Sequence, residues 1–292
     1  MRKVLLFGAT GNLGKEIAKE LVTQGYNLTV VVRNEAKAIS LSDITPNYII
    51  VDVCNKVTLN HIFNNQDIVI SALGKSVSPG DKSKPTFREV DYTANASILN
   101  EATKAGVEKF IYVSAFHAEK YLHLEYFKAH HDFAELLKKS GLDYSIIKPP
   151  AIFSAFIEVI EMAKKGQLVN IGKGDKKTNP IYEGDLAKVV VDSIHQTNST
   201  IEAGGKTIYT RKQLNQIVQD EIEKNKTLRT IPIGLFKWAL PVIKMVSKNT
   251  YDKFAFFLAV MQQDTIAPQI GEMTFERYVK LKVKEQQKPG SC

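Results

Sequence analysis

A short apolar run, Val4 to Phe7, leads at once into Gly8-Ala-Thr-Gly11-Asn-Leu-Gly14. The stretch that follows carries Leu13, Ile17, Ala18 and Leu21 at helical spacing. A buried strand that turns on glycines into a helix admits few folds. The first glycine allows the tight turn, the second lets a ligand approach the backbone, and the third lets the helix lie close on the strand. The opening N–H groups of such a helix and its positive dipole end then face outward and favour phosphate. In this context the motif predicts a βαβ unit with a dinucleotide on the turn.

The same alternation continues. Leu28–Val32, Tyr48–Val51, Asp67–Leu73, Phe110–Val113 and Tyr144–Ile147 read as strands, with Phe87–Ala105 and Leu124–Lys139 as intervening helices. The strands are apolar with little polar alternation, which marks a parallel sheet covered on both faces. The expected fold is α/β, a doubly wound parallel sheet of the Rossmann type over residues 1–150. Residues 151–292 are expected to form a smaller, mostly helical substrate or cap region, with helices at Phe156–Lys164, Glu183–His195 and Arg211–Lys224. Some segments of this region are expected to return to the main sheet.

Of the 292 residues, 44% are hydrophobic and 24% charged, which excludes a disordered or fibrous chain. The two cysteines, Cys54 and Cys292, cannot make a disulfide framework and suit a reducing compartment. No signal-peptide core and no apolar stretch of membrane-spanning length is evident, so a cytoplasmic location is expected. The net charge of +8 is concentrated late, because residues 224–292 hold 12 Lys and Arg against 5 Asp and Glu. Such a region favours anionic partners, although a solvated basic face is the commoner meaning. Within it, Lys237, Lys244 and Lys248 share a helix face beside Phe236, Trp238, Leu240, Ile243 and Met245, with Pro241 as a potential kink. A basic helix with a tryptophan can lie in a membrane interface. The expectation is the commoner role of a pocket wall or a dimer surface, which makes a second copy of the chain a candidate partner. Nucleic acid is not expected, since no recognised module is present.

Cofactor choice is read at the end of the second strand. A free ribose 2′-hydroxyl calls for Asp or Glu about 20 residues after the glycines. Here the strand ends in Arg33, with Lys37 four residues on and Glu35 between. Two cations favour a 2′-phosphate, so NADP(H) is expected over NAD(H). His117, His123, His130 and His131 fall close together with Glu125 and Asp132, but the spacing fits no zinc motif and no metal is expected.

Gly8–Gly14, the strand end Val30–Arg33, Val51-Asp52-Val53, Ser71-Ala72-Leu73-Gly74, Tyr112-Val113-Ser114 and Ser140–Pro149 together resemble the atypical short-chain dehydrogenase/reductases. The NmrA-like, NAD(P)H-binding branch is the most similar. The resemblance continues through Asn179–Ala187, returns at Asp264–Pro268, and covers about three quarters of the chain. It implies that Gly8, Thr10, Gly11, Asn12, Leu13 and Gly14 hold the phosphates, with Arg33 and Lys37 at the 2′ position. Asp52 and Val53 would meet the adenine, and Ala72, Leu73 and Gly74 would line the dinucleotide. Ser114, Pro149 and Pro150 would surround the nicotinamide. The reductases of this family use a Tyr-x-x-x-Lys pair, whose positions here are Tyr126 and His130. Histidine at that position can hold the ribose by one hydrogen bond, and it is charged only in part near neutral pH. A protonated His130 would make turnover rise toward acid pH. The family serine would fall at Ala115 or Phe116, which leaves Ser114 as the donor. The expected catalytic set is therefore Tyr126, His130 and Ser114, in an oxidoreductase for a small carbonyl, enone or quinone. The missing lysine and serine keep an alternative open, a non-catalytic NAD(P)H-binding redox sensor or assembly factor.

Overall fold

The computed structural model describes residues 1–53, 59, 61–78 and 80–287; Cys54 and Cys292 lie outside them. Its elements in chain order are β1 (Lys3–Phe7), α1 (Asn12–Thr23), β2 (Asn27–Val32), α2 (Glu35–Ile39), β3 (Tyr48–Ile50), β4 (Ile68–Ser71), α3 (Asn95–Lys104), β5 (Lys109–Val113), α4 (Glu125–Lys138) and β6 (Asp143–Lys148). These are followed by α5 (Ile157–Lys164), β7 (Asn170–Ile171), β8 (Lys177–Thr178), α6 (Glu183–Asp192), β9 (Ser199–Glu202), β10 (Tyr209–Thr210), α7 (Arg211–Ile222) and β11 (Thr230–Ile231). Three helices complete the chain: α8 (Ile233–Val246), α9 (Lys248–Val260) and α10 (Phe275–Gln287).

Two compact units share these elements. The first comprises Met1–Ser76, Ser83–Lys148 and Leu186–Glu202, and the second Val77–Lys82, Pro149–Asp185 and Ala203–Cys292. In the first unit, seven strands form one sheet in the order β3-β2-β1-β4-β5-β6-β9. Every pairing is parallel. Strand order reverses between β1 and β4, and in open sheets of this kind the crevice at the reversal takes the ligand. Val4, Leu5, Leu6 and Phe7 are all buried, as a strand covered on both faces requires. Leu5, Phe7, Val69, Ile98, Phe110, Tyr112 and Phe133 share one apolar layer. The last strand, β9, comes from beyond residue 150 and pairs with β6. Lys109 opens β5 fully buried, and its Nζ donates to Asp143 Oδ2 at 2.9 Å and to the Gln196 carbonyl. A buried ammonium is tolerable only with such partners.

The expected helix over Phe87–Ala105 divides in two. Arg88–Ala94 is a π-helical turn, and α3 begins only at Asn95. The Asn95 side chain explains the change. Its amide donates to the carbonyls of Val90 at 3.3 Å and Asp91 at 3.1 Å, while its Oδ1 accepts from Ser71 Oγ at 2.6 Å. A side chain inserted into the helical ladder widens the turn.

In the second unit, Phe153, Tyr209, Phe275 and Tyr278 centre an aromatic core with Leu214 and Val279. The two late motif segments meet there. Asn179 Nδ2 donates to the Ala267 carbonyl at 2.8 Å, and its Oδ1 accepts from Ala267 N at 2.9 Å. The Asp185 carboxylate accepts from Glu272 N and Met273 N. The apolar stretch after Ile231, which reads in sequence as broken by lysines and a proline, forms α8 and α9. α8 runs through Pro241, and Ser247 caps α9 by accepting from Thr250 N.

The closest backbone approach in the first unit is at the glycines. A Cβ on Gly14 would lie 2.0 Å from the Gly8 carbonyl oxygen. Gly14→Ala therefore pushes α1 off β1. The expected loss is about 3 kcal/mol, as for severe overpacking, read as a drop in the urea midpoint at unchanged m-value.

Candidate functional site

The site is built on the carboxyl ends of β1, β2, β4 and β5. β1 ends in Gly8, whose φ of +79° turns the chain back. A Cβ there would lie 2.5 Å from the Ala72 carbonyl oxygen, so the ends of β1 and β4 close tightly. α1 then starts at Asn12; the N-cap residue Gly11 offers no side-chain cap, and the first turn holds no acidic residue. Gly11 and Asn12 are exposed, Thr10 is half-buried, and Leu13 and Gly14 are buried. The opening N–H groups of a helix have no intrahelical acceptor. No side chain folds over them and no carboxylate lies in the first turn, the arrangement that favours an anion at a helix N-terminus.

β2 delivers Arg33, which is exposed, and Asn34, whose side chain caps α2 by accepting from Lys37 N at 3.1 Å. Lys37 is exposed as well. Among the described residues, neither Arg33 nor Lys37 engages a carboxylate. Asp52 is exposed just after β3 and Val53 is buried. Beyond β4, Ala72 and Leu73 are half-buried and Gly74 is exposed.

The loop after β4 is pinned by a residue that the sequence reading did not single out. Asp91 is fully buried in the π turn, and its Oδ1 accepts from Lys75 N at 2.8 Å. Its Oδ2 is buried with no hydrogen-bond partner among the described residues. Burial raises its pKa to about 8, against the opposing hydrogen bond from Lys75 N and the Lys75 charge. Near neutral pH this acid is largely protonated.

Beyond β5, Ser114 N donates to the Ile147 carbonyl at 2.8 Å. The Ser114 side chain is buried and its Oγ has no partner among the described residues. Ala115 and Phe116 follow, both buried, and His117 takes left-handed backbone at φ +56°. A buried hydroxyl without a partner costs on the order of 1–3 kcal/mol. An incoming polar group would relieve that cost.

Tyr126 is the second residue of α4 and is half-buried. Its ring meets Phe87 edge-on at 5.4 Å and His130 at 4.6 Å. The π turn is tied to α4 by Arg88, which donates to Asp132 Oδ2 at 2.5 Å. His130 is buried, and its Nδ1 shares a 2.6 Å hydrogen bond with the Tyr112 hydroxyl on β5, a partner the sequence did not suggest. Burial pushes the His130 pKa down to about 3. Burial, reinforced by the Asp91 charge, lifts Tyr126 and Tyr112 well above the ordinary tyrosine range. The cluster is thus neutral near pH 7, and the charged His130 allowed by the sequence is opposed by desolvation. Pro149 and Pro150 follow β6 directly and belong to the second unit. Among the described residues no group of three or more His, Cys, Asp or Glu could hold a metal ion.

These features fit a dinucleotide: a bare helix N-terminus at the strand reversal, two exposed cations beyond β2, and an unpartnered hydroxyl beyond β5. They define a dinucleotide-binding α/β protein. The chain belongs to the NAD(P)H-binding family, whose model matches residues 8–197. Over 305 residues it is 26% identical to a chloroplastic divinyl chlorophyllide a 8-vinyl-reductase of Cucumis sativus, spanning 94% of this chain and 72% of that protein. It is 29% identical over 262 residues to the photosystem II assembly factor Ycf39 of Synechocystis sp., spanning 87% of this chain and 78% of that one. Its fold matches the NADPH-complexed NADPH-dependent quinone oxidoreductase QOR2 of Escherichia coli with a TM-score of 0.73. That alignment has 18% identity and covers 96% of this chain and 99% of the other.

Asp91 provides a pH test. Its folded pKa lies above the value of an exposed carboxyl, so the fold binds an extra proton between about pH 4 and 8. Its penalty is absent below about pH 4, grows as pH rises and is constant above about pH 8. Asp91→Asn keeps the neutral shape and is expected to flatten the decline in melting temperature between pH 5 and 8. An unchanged decline would mean that another group causes it.

Proposed function

We propose that this protein is an NADP(H)-dependent oxidoreductase acting on a small carbonyl, enone or quinone. The observation that carries the reading is the Ser114 hydroxyl, buried without a partner just past β5 in an NAD(P)H-binding fold. In this reading the first turn of α1 holds the pyrophosphate through backbone N–H groups. Arg33 and Lys37 hold the 2′-phosphate, Asp52 and Val53 face the adenine, and Ala72, Leu73 and Gly74 line the dinucleotide. Ser114 donates its hydroxyl to the carboxamide or to the substrate oxygen. The bound cofactor supplies the hydride.

Tyr126 donates the proton to the substrate oxygen. Its raised pKa keeps it protonated, the form a general acid needs, but makes it a weak acid. His130 adds no charge to strengthen it. Its role is to orient, with Tyr112 fixing the ring. This chemistry suits substrates whose reduced form needs little proton assistance, such as quinones. A second reading, an NAD(P)H-dependent assembly factor without turnover, is favoured by the same neutral His130 and by the sequence similarity to Ycf39. The expected setting is the cytoplasm, with NADPH and a small-molecule substrate as partners.

Calorimetric titration with NADPH and NADH, followed by NADPH oxidation in the presence of quinones, tests the reading. NADPH is expected to bind more tightly. Arg33→Ala should weaken NADPH about tenfold more than NADH, the worth of one charge-assisted hydrogen bond. Equal losses would remove the 2′-phosphate assignment. Tyr126→Phe should lower turnover by about 10²-fold or more at unchanged NADPH affinity. With His130 neutral, turnover should not rise between pH 8 and 5.5. NADPH binding without turnover on any carbonyl or quinone would select the assembly-factor reading.

A further inference from the structure

α8 buries none of its fourteen residues. Its half-buried side chains, Ile233, Phe236, Leu240 and Ile243, recur at spacings of three and four and form the packed face of the helix. Opposite them a second apolar row runs at the same spacing: Leu235, 64% exposed, Trp238, 87%, Val242, 64%, and Met245, 89%. At 100° per residue, Lys237 and Lys244 fall on one flank, between the packed face and the exposed row. Lys244 Nζ also lies 5.2 Å over the ring of Tyr251 on α9. From Lys224 to Tyr251 the chain carries six lysines and arginines and no Asp or Glu.

The pocket-wall role expected from sequence does not suit this helix, whose outer apolar row is open to solvent. A contiguous exposed apolar row marks a contact surface. We infer that α8 lies on an anionic phospholipid bilayer, with Leu235, Trp238, Val242 and Met245 in the head-group and acyl boundary. Lys237 and Lys244 then meet the lipid phosphates. Charge complementarity selects this occupant. A second copy paired antiparallel about a two-fold axis would set the lysine flank against itself, with no carboxylate on the helix to compensate. An indole, apolar with one N–H donor, fits the boundary between head groups and acyl chains. At 14 residues α8 is about 21 Å long. No described helix is long and apolar enough to cross a membrane, so this helix lies along the surface.

Trp238 is the sole tryptophan and reports directly on this face. The full chain is mixed with vesicles of equal parts phosphatidylglycerol and phosphatidylcholine, and with vesicles of phosphatidylcholine alone. Co-sedimentation with the anionic vesicles is expected, together with a shift of tryptophan emission to shorter wavelength, and both should weaken as salt is raised. Lys237→Gln with Lys244→Gln should reduce the affinity about thirtyfold. Leu235→Ser with Met245→Ser should abolish the emission shift. These exposed substitutions should leave the circular dichroism unchanged. The inference fails if the anionic vesicles do not sediment the protein, or if the lysine variant binds as well as the parent. It also fails if the emission shift appears with protein concentration in lipid-free buffer, which would give the face to a second copy.

Discussion

The contact on which the first unit depends is between two backbones. Gly14 sits so close to the Gly8 carbonyl that no side chain can stand between α1 and β1. That contact fixes the position and direction of the first helix on the central strand. The helix therefore begins at the reversal of strand order, between β1 and β4, with its uncapped N–H groups facing outward. The bare helix end that we propose holds the pyrophosphate is a by-product of how the sheet is covered. A polar cap at Gly11 would satisfy the helix and fill the site at once, so the binding surface depends on leaving the helix end incomplete.

Beyond β4 and β5 the controlling effect is desolvation. Asp91, Tyr112, Tyr126 and His130 are four titratable groups in one cluster, and burial is the largest cause of every shift among them. Each shift favours the neutral form. The Lys75 charge and the hydrogen bond from Lys75 N pull Asp91 down, and they lose to burial. A pKa unit corresponds to 1.36 kcal/mol, so the several-unit rise of Asp91 outweighs an ordinary surface ion pair. A lysine at position 130 would have to bring a charge into this environment. Histidine can enter neutral and spend its Nδ1 on Tyr112. The substitution that weakens the familiar tyrosine–lysine logic is therefore consistent with the dryness of the pocket.

Much of this was legible in the sequence because it is local. The glycine turn, the strand end at Arg33 and the parallel order of the sheet follow from short-range pattern. The same holds for the placing of Tyr126 and His130 on one helix, one turn apart. What was not legible depends on partners distant in the chain. Asp91 looks like any acid on a helix until Asn95 reaches across to Ser71 and opens the π turn. The Tyr112 bond to His130 joins β5 to α4, and no spacing announces it. The basic stretch near Trp238 shows the converse: the sequence reveals lysines beside apolar residues, but only the fold shows which of those residues are packed and which are exposed.

The distribution of charge follows from these two environments. Inside the first unit, ionisable groups are neutralised by burial or held by several partners, as Lys109 is by Asp143 and Gln196. Most of the excess of cations is concentrated after residue 223, and much of it, including the flank of α8, is exposed to water. A solvated lysine costs the fold almost nothing, so a run of them without carboxylates is easily carried. Beside an apolar row its effect changes, because the row supplies an interface and the lysines decide the sign of what settles there. The bare N-terminus of α1 and the outer face of α8 thus share one device at different scales: positive charge set beside groups that the fold leaves uncovered.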